Sequence, residues 1–229
     1  LCQNAAGVSV TLNGSQTGVT YQLYNGSVTV GAPVVGSGSA LSFGLQTVAG
    51  IYTVQAVNPT TGCVRDMNGS ATVLVNPLPI NQTLNGGGPY CAEGPGVTLS
   101  LSGSNTNVTY QLYNGSTAVG GPVNGTGLPV TFGLQTAAGI YTVLATSTIT
   151  GCQRTMSGVA TISINPLPVM HTVTGGGAYC AGGMGVSVGL SSSNTGMSYQ
   201  LYLGSDPVGT PILGDGTPLD FGMQTDGGL

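Results

Sequence analysis

One spacing governs this chain. Cys2, Cys91 and Cys180 lie 89 residues apart, and Tyr21, Tyr110 and Tyr199 keep the offset, as do Phe43, Phe132 and Phe221, and Cys63 and Cys152. No insertion breaks the register, so the chain is a tandem array of one small unit. The units meet at joints. Asn-Pro-Leu-Pro at 76–79 leads through Gly-Gly-Gly at 86–88 to Tyr90-Cys91, and the same order returns from Asn165 to Cys180. The boundaries are therefore 1–78, 79–167 and 168–229. The first unit lacks the opening segment of the second. Leu229 aligns with Ile51 and Ile140, so the third stops where its penultimate long strand should start. A piece of a longer array is expected, or a neighbouring subunit that donates the missing strands.

Within the second unit the apolar residues alternate with polar ones. Val97, Leu99 and Leu101 form one run, and Val108, Tyr110 and Leu112 another. Leu128, Val130, Phe132 and Leu134 follow, then Tyr141, Val143 and Ala145, and finally Ala160, Ile162 and Ile164. A period of two marks half-buried strands. Asn114-Gly115 suits a tight hairpin turn, and residues 80–84 suit a short edge strand. About seven short strands with turn signals between them give an all-β fold of antiparallel immunoglobulin-like sandwiches. Tyr52 and Tyr141 stand where a tyrosine corner would, with the hydroxyl bonded to nearby backbone.

Composition narrows the function. Hydrophobic residues make up 40% of the chain and charged residues 3%, and Lys is absent. Disordered chains usually show the opposite balance. A net charge of −4, with Arg65 and Arg154 the sole cations, argues against nucleic acid as a partner. No apolar run reaches the ~20 residues that a membrane helix needs.

Five cysteines at a repeating offset read as a disulfide framework in an oxidising, extracellular setting. Two pairings fit. Within units, Cys2 joins Cys63 and Cys91 joins Cys152, leaving Cys180 for a partner beyond Leu229. Between units, Cys63 joins Cys91 and Cys152 joins Cys180. The first is favoured, because a whole strand separates Cys63 from the next joint. Such a bridge closes a loop of about 62 residues, worth roughly 4 kcal/mol in the chain-entropy view.

The motifs Asn-Pro-Leu-Pro, Gly-Gly-Gly-x-Tyr-Cys, Tyr-Gln-Leu-Tyr, Phe-Gly-Leu-Gln-Thr, Ala-Gly-Ile-Tyr-Thr-Val and Thr-Gly-Cys recur in order. In that order the chain resembles the immunoglobulin-like and PKD-like repeats of giant Bacteroidota surface adhesins of the SprB type. The resemblance implies export to the bacterial cell surface, tandem sandwiches and an adhesive or fibre-forming role, with no catalytic residues. The third unit departs from the others: Leu203 replaces the turn Asn, and Asp206, Asp215, Asp220 and Asp226 have no counterparts.

Catalytic chemistry finds few groups. His171 is the single histidine and falls in a joint, where an exposed linker residue is expected. No cofactor is implied. The four Asp of the third unit are weak calcium candidates, since no Asp-x-Asp-x-Asp-Gly loop gathers them. Tyr24, Tyr113 and Tyr202 recur once per unit opposite the core-facing positions, as candidate contact residues. An uncharged surface of Thr, Ser, Asn, Gly and Tyr suits association with copies of itself. The expected function is a non-enzymatic extracellular stalk or fibre. The alternative is a carbohydrate- or surface-binding module that uses the Tyr row or loops.

Overall fold

The alternating runs become strands because each places one side chain in two against a second sheet. The structure, a computed structural model, describes residues 1–227; Leu229 and its alignment lie outside them. Repeat 1 contains β1 (Val8–Leu12), β2 (Thr20–Asn25), β3 (Val28–Val35), β4 (Leu41–Gln46), β5 (Gly50–Val57), β6 (Val64–Asp66) and β7 (Ala71–Val73). Repeat 2 contains β8 (Leu84–Gly86), β9 (Gly88–Cys91), β10 (Val97–Leu101), β11 (Val108–Asn114), β12 (Thr117–Asn124), β13 (Val130–Gln135), β14 (Gly139–Ser147), β15 (Gln153–Thr155) and β16 (Ala160–Asn165). Repeat 3 contributes β17 (Val173–Gly175), β18 (Val186–Leu190), β19 (Ser198–Leu203), β20 (Asp206–Leu213) and β21 (Leu219–Gln224).

Repeat 2 is the complete sandwich. One sheet runs β13-β10-β8 and the other β12-β11-β14-β16-β9, with β15 also on β14. Their inner faces bury Leu99, Tyr110, Leu112, Tyr141, Val143 and Ile162. Each such side chain is worth about 1.5–3 kcal/mol relative to exposure. The corner forms as the sequence indicated: the Tyr141 hydroxyl donates to the Ala137 carbonyl at 2.8 Å, and Tyr52 to Val48 at 2.8 Å. The Tyr110 hydroxyl accepts the Asn105 amide at 2.8 Å. Its ring is thus fixed at both ends.

Several details differ from the sequence reading. Leu134, expected inside, is exposed. The register of β10 against β13 shifts between Leu99 and Ser100, and Gly133 opposite adopts φ 73°. That bulge turns Leu134 outward and brings in Gln135, whose Nε2 donates to the Phe132 carbonyl at 2.8 Å. Leu128 and Ile164 are exposed as well, the first lying ahead of β13. The hairpin turn is Gly115-Ser116, between paired Asn114 and Thr117. Asn114 instead turns its side chain to donate to the Ala138 carbonyl at 3.1 Å. The edge strand begins at Leu84 rather than at 80.

Repeat 1 repeats this plan with fewer strands: β4 pairs β1, and the second sheet runs β3-β2-β5-β6 with β7 also on β5. Repeat 3 holds the sheets β17-β18-β21 and β19-β20. Among the described residues, none of its Val, Leu, Ile or aromatic side chains is buried. A cleft of about 370 Å³ opens among them, lined by Val186, Val188, Leu201 and Val208. Leu1–Tyr90 and Pro95–Ser163 form one compact unit that holds two separate cores, one per repeat, and Cys91–Gly94 with the chain from Ile164 forms a second unit.

Candidate functional site

The feature that distinguishes this chain is the joint between repeats 1 and 2. Strand pairing fixes its geometry. At one end of β5, Val57 faces Val64, beside Cys63; at the other, Gly50 faces Val73, where the chain leaves toward Asn76. Cys2 sits at that exit end, bridged to Asn76, with the Gln3 amide donating to the Asn76 carbonyl at 2.8 Å. Cys63 therefore lies a strand length away from Cys2.

The disulfide follows from this placement. Cys2 bonds to Cys152 of repeat 2, with Cα atoms 5.6 Å apart. Cys63, Cys91 and Cys180 are free and exposed. This corrects the expected Cys2–Cys63 and Cys91–Cys152 pairs. The two cysteines of a unit stand at opposite poles, so the bond that can form crosses the joint. The between-unit alternative, Cys63 with Cys91, does not form either. What the side-chain pattern does not show is that residues 1–3 and 74–76 run side by side: the Asn76 amide donates to the Leu1 carbonyl at 2.8 Å.

Around the bridge, the segment 79–86 packs into repeat 2. Pro79 is buried, and its carbonyl accepts Arg154 Nη1 at 2.9 Å. The Ser157 amide donates to the Gln82 carbonyl and the Leu84 amide to the Ser157 carbonyl, both at 2.9 Å. The Gln82 amide lies 3.3 Å from Met156 Sδ. Leu84 then enters the core, and β8 pairs β10 through Leu101–Leu84 and Leu99–Gly86. Gly86, Gly87 and Gly88 all have positive φ, 104°, 91° and 121°. At Gly86 a Cβ would lie 2.2 Å from the Thr98 carbonyl oxygen. The glycine run is thus a shaped turn onto β9. Arg65, which aligns with Arg154, is exposed.

The remaining candidates are dispersed. Tyr24 and Tyr113 are half-buried on their hairpins, and Tyr202 is exposed. His171, expected as an exposed linker residue, is half-buried, with Nε2 3.1 Å from Asn194 Oδ1 and its ring 6.4 Å from that of Tyr199. Asp215 is held below the usual carboxylate range by the Thr217 hydroxyl at 2.7 Å and the Thr217 amide at 2.9 Å. Asp220 is lowered by the Gly222 amide and the Ser187 hydroxyl, each at 2.8 Å. Asp206 and Asp226 are exposed. Among the described residues, no three His, Cys, Asp or Glu side chains gather where they could hold a metal.

No family model matches the chain, and no curated protein matches it significantly. Among solved structures it is similar to murine CEACAM1b, at 12% identity, covering 72% of this chain and 95% of that one, with a TM-score of 0.34. It is also similar to immunoglobulin domains 1–4 of Sidekick-1, at 11% identity, covering 96% of this chain and 62% of that one, with a TM-score of 0.29. The immunoglobulin-like class is carried by this chain's own features: two antiparallel sheets per complete repeat, a core between them, and the tyrosine corner.

Proposed function

We propose that this chain is a non-enzymatic, extracellular structural protein whose immunoglobulin-like repeats are strung into a stalk or fibre on a bacterial surface and associate with copies of themselves. The observation that supports this reading most is the joint. The Cys2–Cys152 disulfide ties repeat 1 to repeat 2, and the segment that follows repeat 1 is held inside repeat 2 by the Arg154–Pro79 bond and by β8 on β10. A binding module needs no such coupling to its neighbour, whereas a load-bearing rod does. The disulfide also fits an oxidising compartment. The surface agrees with lateral association, because charged residues are 3% of the chain and uncharged strand edges can pair.

The test is electron microscopy of the native material, with sedimentation of the purified chain over a concentration series. Filaments of regularly spaced beads, and a sedimentation coefficient that rises with concentration, are expected. Isolated particles together with a strictly monomeric chain at high concentration would remove the reading. Binding of glycans by the monomer, lost in Tyr202→Ala, would point to the adhesive module instead.

A further inference from the structure

We propose that the Cys2–Cys152 bond is a tension bypass. A pull along the chain enters at Cys2, crosses to Cys152 and leaves through the last strands of repeat 2, so repeat 1 carries no load and stays folded. The proposal rests on the reading of the chain as a load-bearing stalk and names the path that the load takes.

The path follows from the order of elements along the chain. The bond joins residues 150 apart in sequence. Everything from β1 to β14 lies between them: the whole of repeat 1 after Cys2, the segment 79–86, and repeat 2 as far as Ser147. Tension follows the shortest covalent route, so no strand inside this loop is pulled from both ends. The loop withholds about 500 Å of fully drawn chain from extension. Outside it, repeat 2 leaves only β15 and β16 in the path. From Cys152 to Asn165 that stretch spans no more than about 50 Å when straight. A bond from Cys2 to Cys63 would have left the segment 79–86 under tension; the bond across the joint takes that segment out of the path as well.

The residues that do lie in the path are firmly anchored. Cys152 is fully buried. β15 pairs β14 from Gln153 to Thr155, and the Met156 amide donates to the Val143 carbonyl at 2.8 Å. Met156, Ala160 and Ile162 all enter the repeat 2 core, and Ala160 to Ile162 pair with Tyr141 to Gly139 of β14. Stripping this stretch breaks paired backbone and exposes buried side chains together. The entry side is clamped too. The Asn76 amide donates to the Leu1 carbonyl and the Gln3 amide to the Asn76 carbonyl, both at 2.8 Å, on either side of Cys2. Repeat 1 therefore keeps the surfaces it offers to other copies for as long as the bond holds.

The test is single-molecule force spectroscopy on the full chain, held by tags at its two ends, with and without reductant. The final length of the oxidised chain should fall about 500 Å short of that of the reduced chain. Cys2→Ser should reach the reduced length without reductant. Final length does not depend on how well a variant folds. Two core substitutions then test the sheltering itself: Leu23 is 1% exposed inside the loop, and Ile162 is 2% exposed in the path. Leu23→Ala should lower an unfolding force of the reduced chain and leave the oxidised trace unchanged. Ile162→Ala should lower the force at which the oxidised chain yields. Equal final lengths in the two states, an oxidised trace altered by Leu23→Ala, or one indifferent to Ile162→Ala would each overturn the proposal. Single molecules are read, so the result does not depend on whether filaments are seen.

Discussion

Truncating Leu84 to alanine probes whether the joint segment is part of the repeat 2 core or merely lies on it. Leu84 is 5% exposed and packs in one cluster with Leu99, Leu101 and Met156. Its backbone bonds, to Ser157 and along β8, do not depend on the side chain. Removal of a buried Leu costs about 2–5 kcal/mol, as lost transfer energy plus the cavity left behind. β8 is a three-residue edge strand that can relax inward, which places the cost in the lower half, about 2–3 kcal/mol. For a domain of this size each kcal/mol moves Tm by roughly 4–8 °C, so the repeat 2 transition should fall by roughly 10–25 °C. Calorimetry of the full chain reads this, with Leu74→Ala as the control. Leu74 is 69% exposed and should change stability by no more than about 0.5 kcal/mol. If Leu84→Ala moved the transition no further than Leu74→Ala, segment 79–86 would not belong to the core, and the account of the joint would fail.

Three further outcomes are expected. Tyr141→Phe removes the bond to the Ala137 carbonyl and should cost about 0.5–1.5 kcal/mol by urea denaturation; an unchanged midpoint would remove the corner as a stabilising device. Burial raises the Tyr141 phenol above its ordinary value, so the folded chain holds that proton more tightly. Its contribution is then complete below about pH 10 and is lost as pH rises through the higher folded value. Alkaline titration of stability should accordingly fall less steeply in Tyr141→Phe; identical slopes would contradict this. At Gly139, with φ 147°, an added Cβ would lie 2.0 Å from Asn114 Oδ1. Gly139→Ala should therefore destabilise by about 1–3 kcal/mol, and the double variant with Asn114→Ala should recover part of the loss, which a simple backbone penalty would not allow.

The strand plan was legible because alternation in Val108, Tyr110 and Leu112, or in Tyr141, Val143 and Ala145, maps directly onto one buried face. The corner was legible because a Tyr after an Ala-Gly turn has a backbone carbonyl within reach. Leu134 was misplaced because a bulge at Gly133 shifts the period by one, and period counting assumes an unbroken ladder. The disulfide was misread for a different reason. The spacing gives the separation of Cys2 and Cys63 along the chain but not the pole at which each emerges. That depends on the pairing of residues 1–3 with residues 74–76, a contact carried by backbone atoms and invisible to side-chain pattern.

The account turns on the covalent link across the joint. Mass mapping of non-reduced peptides after alkylation of the native chain tests it directly. The account predicts a cross-linked pair containing Cys2 and Cys152, with alkylated Cys63, Cys91 and Cys180. Peptides joining Cys2 to Cys63, or Cys91 to Cys152, would show that each repeat is stapled to itself and would contradict it.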